Sequence, residues 1–145
     1  MVMITRGGII PAGLLAESMQ IQSIYTASVD FPAEIEQENQ RKERERLLSW
    51  PQFIQFPERE ATRNKKVLIV DDVWGSGRTV TAVKNRLTAA GAQPFTCVLH
   101  FNPYRNLFGT LRPDFYAAIT DAHIIYPWEV QRGKETLFQD TKPIL

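Results

Sequence analysis

The sequence predicts an α/β fold with a mainly parallel sheet of five strands flanked by helices. Three observations carry this. Short apolar runs rich in β-branched residues alternate with segments whose apolar residues recur at helical spacing. One run, Val67-Leu-Ile-Val70, is apolar at four successive positions, the pattern of a strand covered on both faces. Glycine loops at 6–8 and 75–79 directly follow two of the runs. With right-handed crossovers both loops belong on the carboxyl edge of the sheet, where ligands of such folds bind.

Each element can be justified in order. Met1 to Thr5 reads as a strand that opens at the first residue, and Arg6-Gly7-Gly8 ends it. Ile9, Ile10, Leu14, Leu15 and Met19 then recur as on a helix, with Pro11 suited to a first turn. Ile21 to Val29 has the β-branched and aromatic content of a second strand. Residues 31–66 hold seven acidic and eight basic side chains and read as a charged insertion or flexible loop. Within it, Ala33 to Leu48 pairs opposite charges at helical spacing, as a solvated helix or a mobile segment. Phe53 to Phe56, between Pro51 and Pro57, suits an edge strand or a docking loop. Val67 to Val70 is the third strand, and Val80, Val83, Leu87 and Ala90 mark a helix stopped by Gly91. Phe95 to Phe101 and Phe115 to Ile119 complete the five strands, and 121–145 forms a tail.

The chain has 145 residues, 43% of them hydrophobic, enough for one domain with a core. Seventeen basic residues against sixteen acidic ones give a net charge of +1, which argues against nucleic acid as the main partner. No run approaches the roughly 18 apolar residues of a membrane span, and no basic stretch precedes a long apolar run. A single cysteine, Cys97, allows neither an internal disulfide nor a cysteine-based metal site. The expectation is one soluble cytoplasmic domain over 1–145.

The chemistry gathers in Val67 to Thr79. A buried strand ends in two adjacent carboxylates, Asp71 and Asp72. Gly75, Ser76 and Gly77 follow, then Arg78 and Thr79 at a helix start. Unpaired N–H groups and the helix dipole there suit a phosphate, and the Ser76 and Thr79 hydroxyls can add donors. Carboxylates beside a phosphate cradle make sense if they accept from sugar hydroxyls, directly or around a hard cation. A nucleotide-triphosphatase loop is excluded, because Asp72 stands where its first glycine belongs and Arg78 where its lysine belongs.

This stretch resembles the phosphoribosyl pyrophosphate (PRPP) motif of the type I phosphoribosyltransferases. Ile4-Thr5-Arg6-Gly7-Gly8-Ile9-Ile10-Pro11 is similar to the pyrophosphate loop of their xanthine-guanine branch. Ile125-Tyr126-Pro127-Trp128-Glu129 is similar to that branch's hood segment. The resemblance implies a Rossmann-like fold with a reduced hood, and an N-terminus shorter than is usual. It implies Mg²⁺-dependent transfer of the 5-phosphoribosyl group of PRPP to a purine-like base, with release of pyrophosphate, as in nucleotide salvage. Gly75 to Thr79 would hold the 5-phosphate. Asp71 and Asp72 would bind the ribose hydroxyls and, directly or through them, Mg²⁺. Arg6, with Thr5, Gly7 and Gly8, would grip pyrophosphate, around a cis peptide at Thr5–Arg6. Asp71, Asp72 and Arg6 are thus the implied catalytic groups, and His123 and Ile124 would border the base. A homodimer is also implied.

The chain departs from the pattern in places. Gly75 replaces the Asp that faces the purine in the 6-oxopurine branch, and His123 replaces a stacking aromatic. The Tyr of the usual Ser-Tyr pair is absent after Ser28, and Arg41, Lys42, Arg44 and Arg46 are available to a lid over PRPP. The alternative is a PRPP- or nucleotide-binding regulator of the same fold without transfer. Trp74 reads as packing under the loop, and Cys97 and His100 as core or strand-end residues.

Overall fold

A computed structural model describes residues 1–31 and 50–129. The expected helix and lid over 33–48, with Arg41, Lys42, Arg44 and Arg46, lie outside these residues, as does the tail beyond 129.

Among the described residues six strands form one sheet, one more than the sequence predicts. They are β1 (Val2–Ile4), β2 (Tyr25–Asp30), β3 (Gln52–Gln55), β4 (Lys66–Trp74), β5 (Gln93–Phe101) and β6 (Phe115–Ile119). Their order is β3-β2-β1-β4-β5-β6. All neighbours are parallel except β3, which runs antiparallel to β2 with Val29 opposite Phe53. The helices among the described residues are α1 (Ile9–Ser18), α2 (Arg59–Thr62) and α3 (Arg78–Ala89).

The sixth strand is the segment for which an edge strand and a docking loop were both open. Its alternate residues are too exposed to give a strand pattern. It is anchored from below instead. The Arg86 guanidinium of α3 lies 4.2 Å from the Phe53 ring and 4.5 Å from the Phe56 ring, a cation–π arrangement.

The central strand is also longer than its apolar run. β4 continues through Asp71 and Asp72 to Trp74, because β5 pairs with it as far as Trp74 opposite Phe101. The two carboxylates are strand residues rather than loop residues.

Alternation along β4 divides the core. Val67 and Ile69 join Val2, Ile4, Val80, Val83, Leu87 and Val98 under α3. Val70, with Leu68, joins Met1, Ala12 and Ala16 under α1. The centre of the sheet is therefore covered on both faces, as the apolar run requires, while edge strand β6 is exposed along its length. The face that α1 buries differs from expectation. Its large residues Ile9, Ile10 and Leu14 are exposed, while Pro11, Ala12 and Ala16 pack inward.

Candidate active site

The carboxyl edge of β1 and β4 brings the two glycine loops together. Thr5 extends β1, its N–H donating to the Ala27 carbonyl at 2.9 Å. The Thr5–Arg6 peptide is cis. Arg6 is exposed, and the chain turns at once into α1, with the Gly8 N–H donating to Ile4 at 2.8 Å and the Gly8 carbonyl accepting from Ala12 at 2.9 Å. A methyl group on Gly7 would meet the Asp72 carboxylate at 2.5 Å. The loop thus closes directly over the acidic pair.

Both carboxylates are nearly sealed from solvent, Asp71 at 8% and Asp72 at 5% exposure. Asp71 Oδ1 accepts the Asp72 N–H at 3.0 Å. Burial, and then the neighbouring charge of Asp72, hold the Asp71 carboxyl well above the ordinary carboxylate range. Asp72 Oδ2 accepts the Trp128 indole N–H at 3.3 Å.

Beyond the pair, Gly77 adopts φ +80° and starts α3 without a side-chain cap. Glycine meets two needs here. It takes the left-handed conformation, and a side chain would run into the Trp74 indole beneath it. Trp74 is 2% exposed and donates to Asn106 Oδ1 at 3.2 Å, which is the packing role read for it. The Leu107 N–H donates to the Ser76 carbonyl at 3.1 Å. The loop after β5 thereby braces the loop after β4. The Arg78 guanidinium lies 4.0 Å from the Phe31 ring, and burial lowers its pKa.

Two cavities open here. The first, about 270 Å³, is lined by Asp71, Asp72, Val73 and the whole run from Gly75 to Val80. The second, about 180 Å³, is lined by residues that include Val73, Gly75, Asn102, Arg105, His123 and Ile124. Val73 and Gly75 border both. The expected residues Asp71, Asp72, Gly75, Ser76, Gly77, Arg78 and Thr79 thus share one cavity, His123 and Ile124 lie in its neighbour, and Thr5, Arg6, Gly7 and Gly8 form the loop against Asp72.

The hood segment is stitched to the carboxylate strand. The Tyr126 hydroxyl donates to the Asp72 carbonyl at 3.1 Å and lies 2.8 Å from His100 Nδ1. With the hydroxyl donating to that carbonyl, the Nδ1–H tautomer of His100 completes the chain by donating to the hydroxyl oxygen. Burial, and then the charges of Asp72, Glu129 and Asp71, push the Tyr126 hydroxyl up, which keeps it a donor. His100 is therefore a partner of the hood, beyond the strand-end role expected of it. The sequence carried no signal for Asn102, Arg105 or Asn106.

The phosphoribosyl transferase domain model matches residues 1–133. The chain belongs to this family. Solved structures of similar fold include a purine phosphoribosyltransferase from Pyrococcus horikoshii, 24% identical, with a TM-score of 0.69 over 88% of this chain and 74% of that one. The xanthine-guanine-hypoxanthine phosphoribosyltransferase of Helicobacter pylori is 16% identical, with a TM-score of 0.66 over 94% of this chain and 76% of that one. A hypothetical protein from Neisseria gonorrhoeae with bound ppGpp is 24% identical, with a TM-score of 0.67 over 90% of this chain and 73% of that one.

The phosphoribosyl transferase fold thus presents two adjacent carboxylates beside a cavity of about 270 Å³ walled by the loop from Gly75 to Thr79. Among the described residues no cluster of three or more His, Cys, Asp or Glu side chains could hold a metal by itself. The donor set still fits Mg²⁺, which takes one or two protein carboxylates and completes its shell with substrate oxygens and water. No helix among the described residues is long and apolar enough to cross a membrane.

Proposed function

We propose that the chain transfers the 5-phosphoribosyl group of PRPP to a purine-like base, releasing pyrophosphate. One observation carries the reading: two cavities meet at Val73 and Gly75, one bordered by the acidic pair and the phosphate loop, the other by the hood. A sugar held between them would have its phosphate in the first and its anomeric carbon toward the second.

The residues divide the work by their chemistry. Backbone amides from Gly75 to Thr79 and the α3 dipole hold the 5-phosphate. Asp71 and Asp72 accept from the ribose hydroxyls. Arg6 and the amide of Gly7 bind pyrophosphate, whose bond to the anomeric carbon breaks as the base nitrogen forms its own; the Gly8 amide, expected to share in this, is spent on the Ile4 carbonyl and shapes the loop instead. The transition state is oxocarbenium-like, so the protein's task is to position, to stabilise the leaving anion and to exclude water. Asp71 and Asp72 would hold Mg²⁺ together with substrate oxygens, and the ion would supply charge neutralisation at the leaving group. His123 and Ile124 border the base. We assign a cytoplasmic homodimer on the same family reading.

A second reading, nucleotide binding without transfer, draws support from the Neisseria structure, which holds ppGpp. Calorimetric titration with PRPP and Mg²⁺, followed by a panel of bases, separates the two. Pyrophosphate release with a base is expected; PRPP binding without release for any base favours the binding protein. Asp72→Asn and Arg6→Ala should each lower PRPP affinity or turnover while leaving the circular dichroism spectrum unchanged. Normal turnover in both would sink the site assignment.

A further inference from the structure

The two edges of the sheet are finished differently. At one edge, β3 carries Gln52 and Gln55, shifts register against β2 between Ser28 and Val29, and is held from below by Arg86. Breaks in register, charges and covering elements keep an edge strand from recruiting another chain. At the other edge, β6 reads Phe115-Tyr116-Ala117-Ala118-Ile119, with no charge, proline or glycine, and all five residues are exposed. Its register with β5 runs without a shift, and among the described residues nothing pairs with its outer side.

That outer side is self-complementary. In a parallel strand each residue turns both its N–H and its carbonyl to the same neighbour, and the direction alternates along the strand. The Thr120 N–H donates to the Phe101 carbonyl of β5 at 2.9 Å, so Ala118 and Tyr116 also face β5. Phe115, Ala117 and Ile119 therefore turn their N–H and carbonyl groups outward. They are spaced evenly about Ala117. A second β6, placed antiparallel by a two-fold axis at Ala117, sets Ala117 against its own copy and Phe115 against the partner's Ile119. Each is a pair that exchanges both hydrogen bonds. The same three residues share one face of the sheet, so Phe115 and the partner's Ile119 form an aromatic–β-branched cross-strand pair. Phe115 is 55% and Ile119 59% exposed, and only alanine stands on that face between them. With Tyr116, Leu111 and Phe108, these side chains bare on the order of 500 Å² at and beside the edge, more than half of one side of a standard interface.

We infer that β6 is the interface between two copies of this chain, joined edge to edge and antiparallel, so that one sheet runs through both. The inference rests on the homodimer assigned above, whose surface it names, and not on the reaction. β6 leads directly into the hood, and antiparallel pairing turns the carboxyl edges of the two copies, with their candidate sites, to opposite ends of the joined sheet.

Sedimentation equilibrium of the full chain decides it, with circular dichroism to show that each variant folds. The wild type should be dimeric at micromolar concentration. Phe115→Lys and Ile119→Glu should each weaken the dimer roughly tenfold or more, since each sets a charge against an apolar side chain twice per interface. Combined, they should bring it back to within roughly threefold, because the antiparallel register places each new lysine opposite a new glutamate. Positions 115 and 119 of one strand lie about 13 Å apart, too far for that pair to form within a chain. Ala117→Pro should also dissociate the dimer, since it removes an outward N–H and no bond to β5; the charge variants serve if it does not fold. A wild type that stays monomeric up to about 100 μM overturns the homodimer and this surface together. A dimer or larger assembly that survives all three single variants overturns the surface and leaves the homodimer to another face. A loss that the double variant does not rescue overturns the antiparallel pairing about Ala117. Pyrophosphate release, followed in parallel, judges the transferase reading separately.

Discussion

At Gly7 and Gly8 a side chain has nowhere to go, whereas at Gly75, on the same edge of the sheet, it would meet nothing. A methyl on Gly8 would press into the backbone carbonyls of Val70 and Ile4, and one on Gly7 into the Asp72 carboxylate. Gly75 has no heavy atom within 4 Å of the equivalent point and borders both cavities. Glycine in the first loop lets the chain approach itself. Glycine in the second reserves room for something that is not the chain.

That contrast can be broken most severely at Gly8. Gly8→Ala should cost about 3 kcal/mol or more in a urea melt, since the obstructing atoms are backbone and cannot step aside. Wild-type stability in this variant would mean that the loop is looser than described.

Asp71→Asn comes next and moves stability and function in opposite directions. The folded carboxyl is held above its unfolded value, so its ionisation opposes folding at neutral pH. That opposition is relieved as pH falls from the raised value through the ordinary carboxylate range. The variant should be more stable than the wild type at neutral pH and keep none of the gain in acid. Its PRPP affinity should fall. Thermal melts across pH, paired with titrations, check both signs.

Gly75→Ala should leave the melting temperature within the scatter of surface substitutions yet lower PRPP or base affinity several-fold by filling shared space. The smallest effect belongs to Gly13→Ala inside α1, where a methyl also meets nothing. It should stabilise by about 0.5–1 kcal/mol through helix propensity and leave ligand binding untouched. Equal binding losses at Gly13 and Gly75 would erase the distinction between a helix position and a site position.

Much of the fold was legible because its central strands are covered on both faces. Val67 to Val70 could be read as a buried parallel strand from four residues, and Phe115 to Ile119 has the bounds expected. The acidic pair and the glycine loops were legible as a unit because their order along the chain is itself the motif. What escaped depends on neighbours distant in sequence. The extension of β4 through Trp74 is set by β5. β3 is anchored by Arg86 rather than by its own pattern. The short α2 has only four residues and no periodicity to read. α1 misled because its small residues, not its large ones, meet the sheet. Asn102 escaped because an asparagine after a strand is ordinary until the Tyr104 and Arg105 N–H groups that its side-chain oxygen accepts are visible.

The stitching of the hood to β4 has an optical consequence. Three tryptophans are spread over distinct surroundings: Trp50 is 86% exposed, Trp74 is buried, and Trp128 donates its indole N–H to Asp72 while stacking on Tyr126 at 4.8 Å. Only the last is bonded to a carboxylate of the candidate site. Whatever occupies Asp72 changes the electric field across that indole, so the chain carries its own fluorophore wired to its acidic pair.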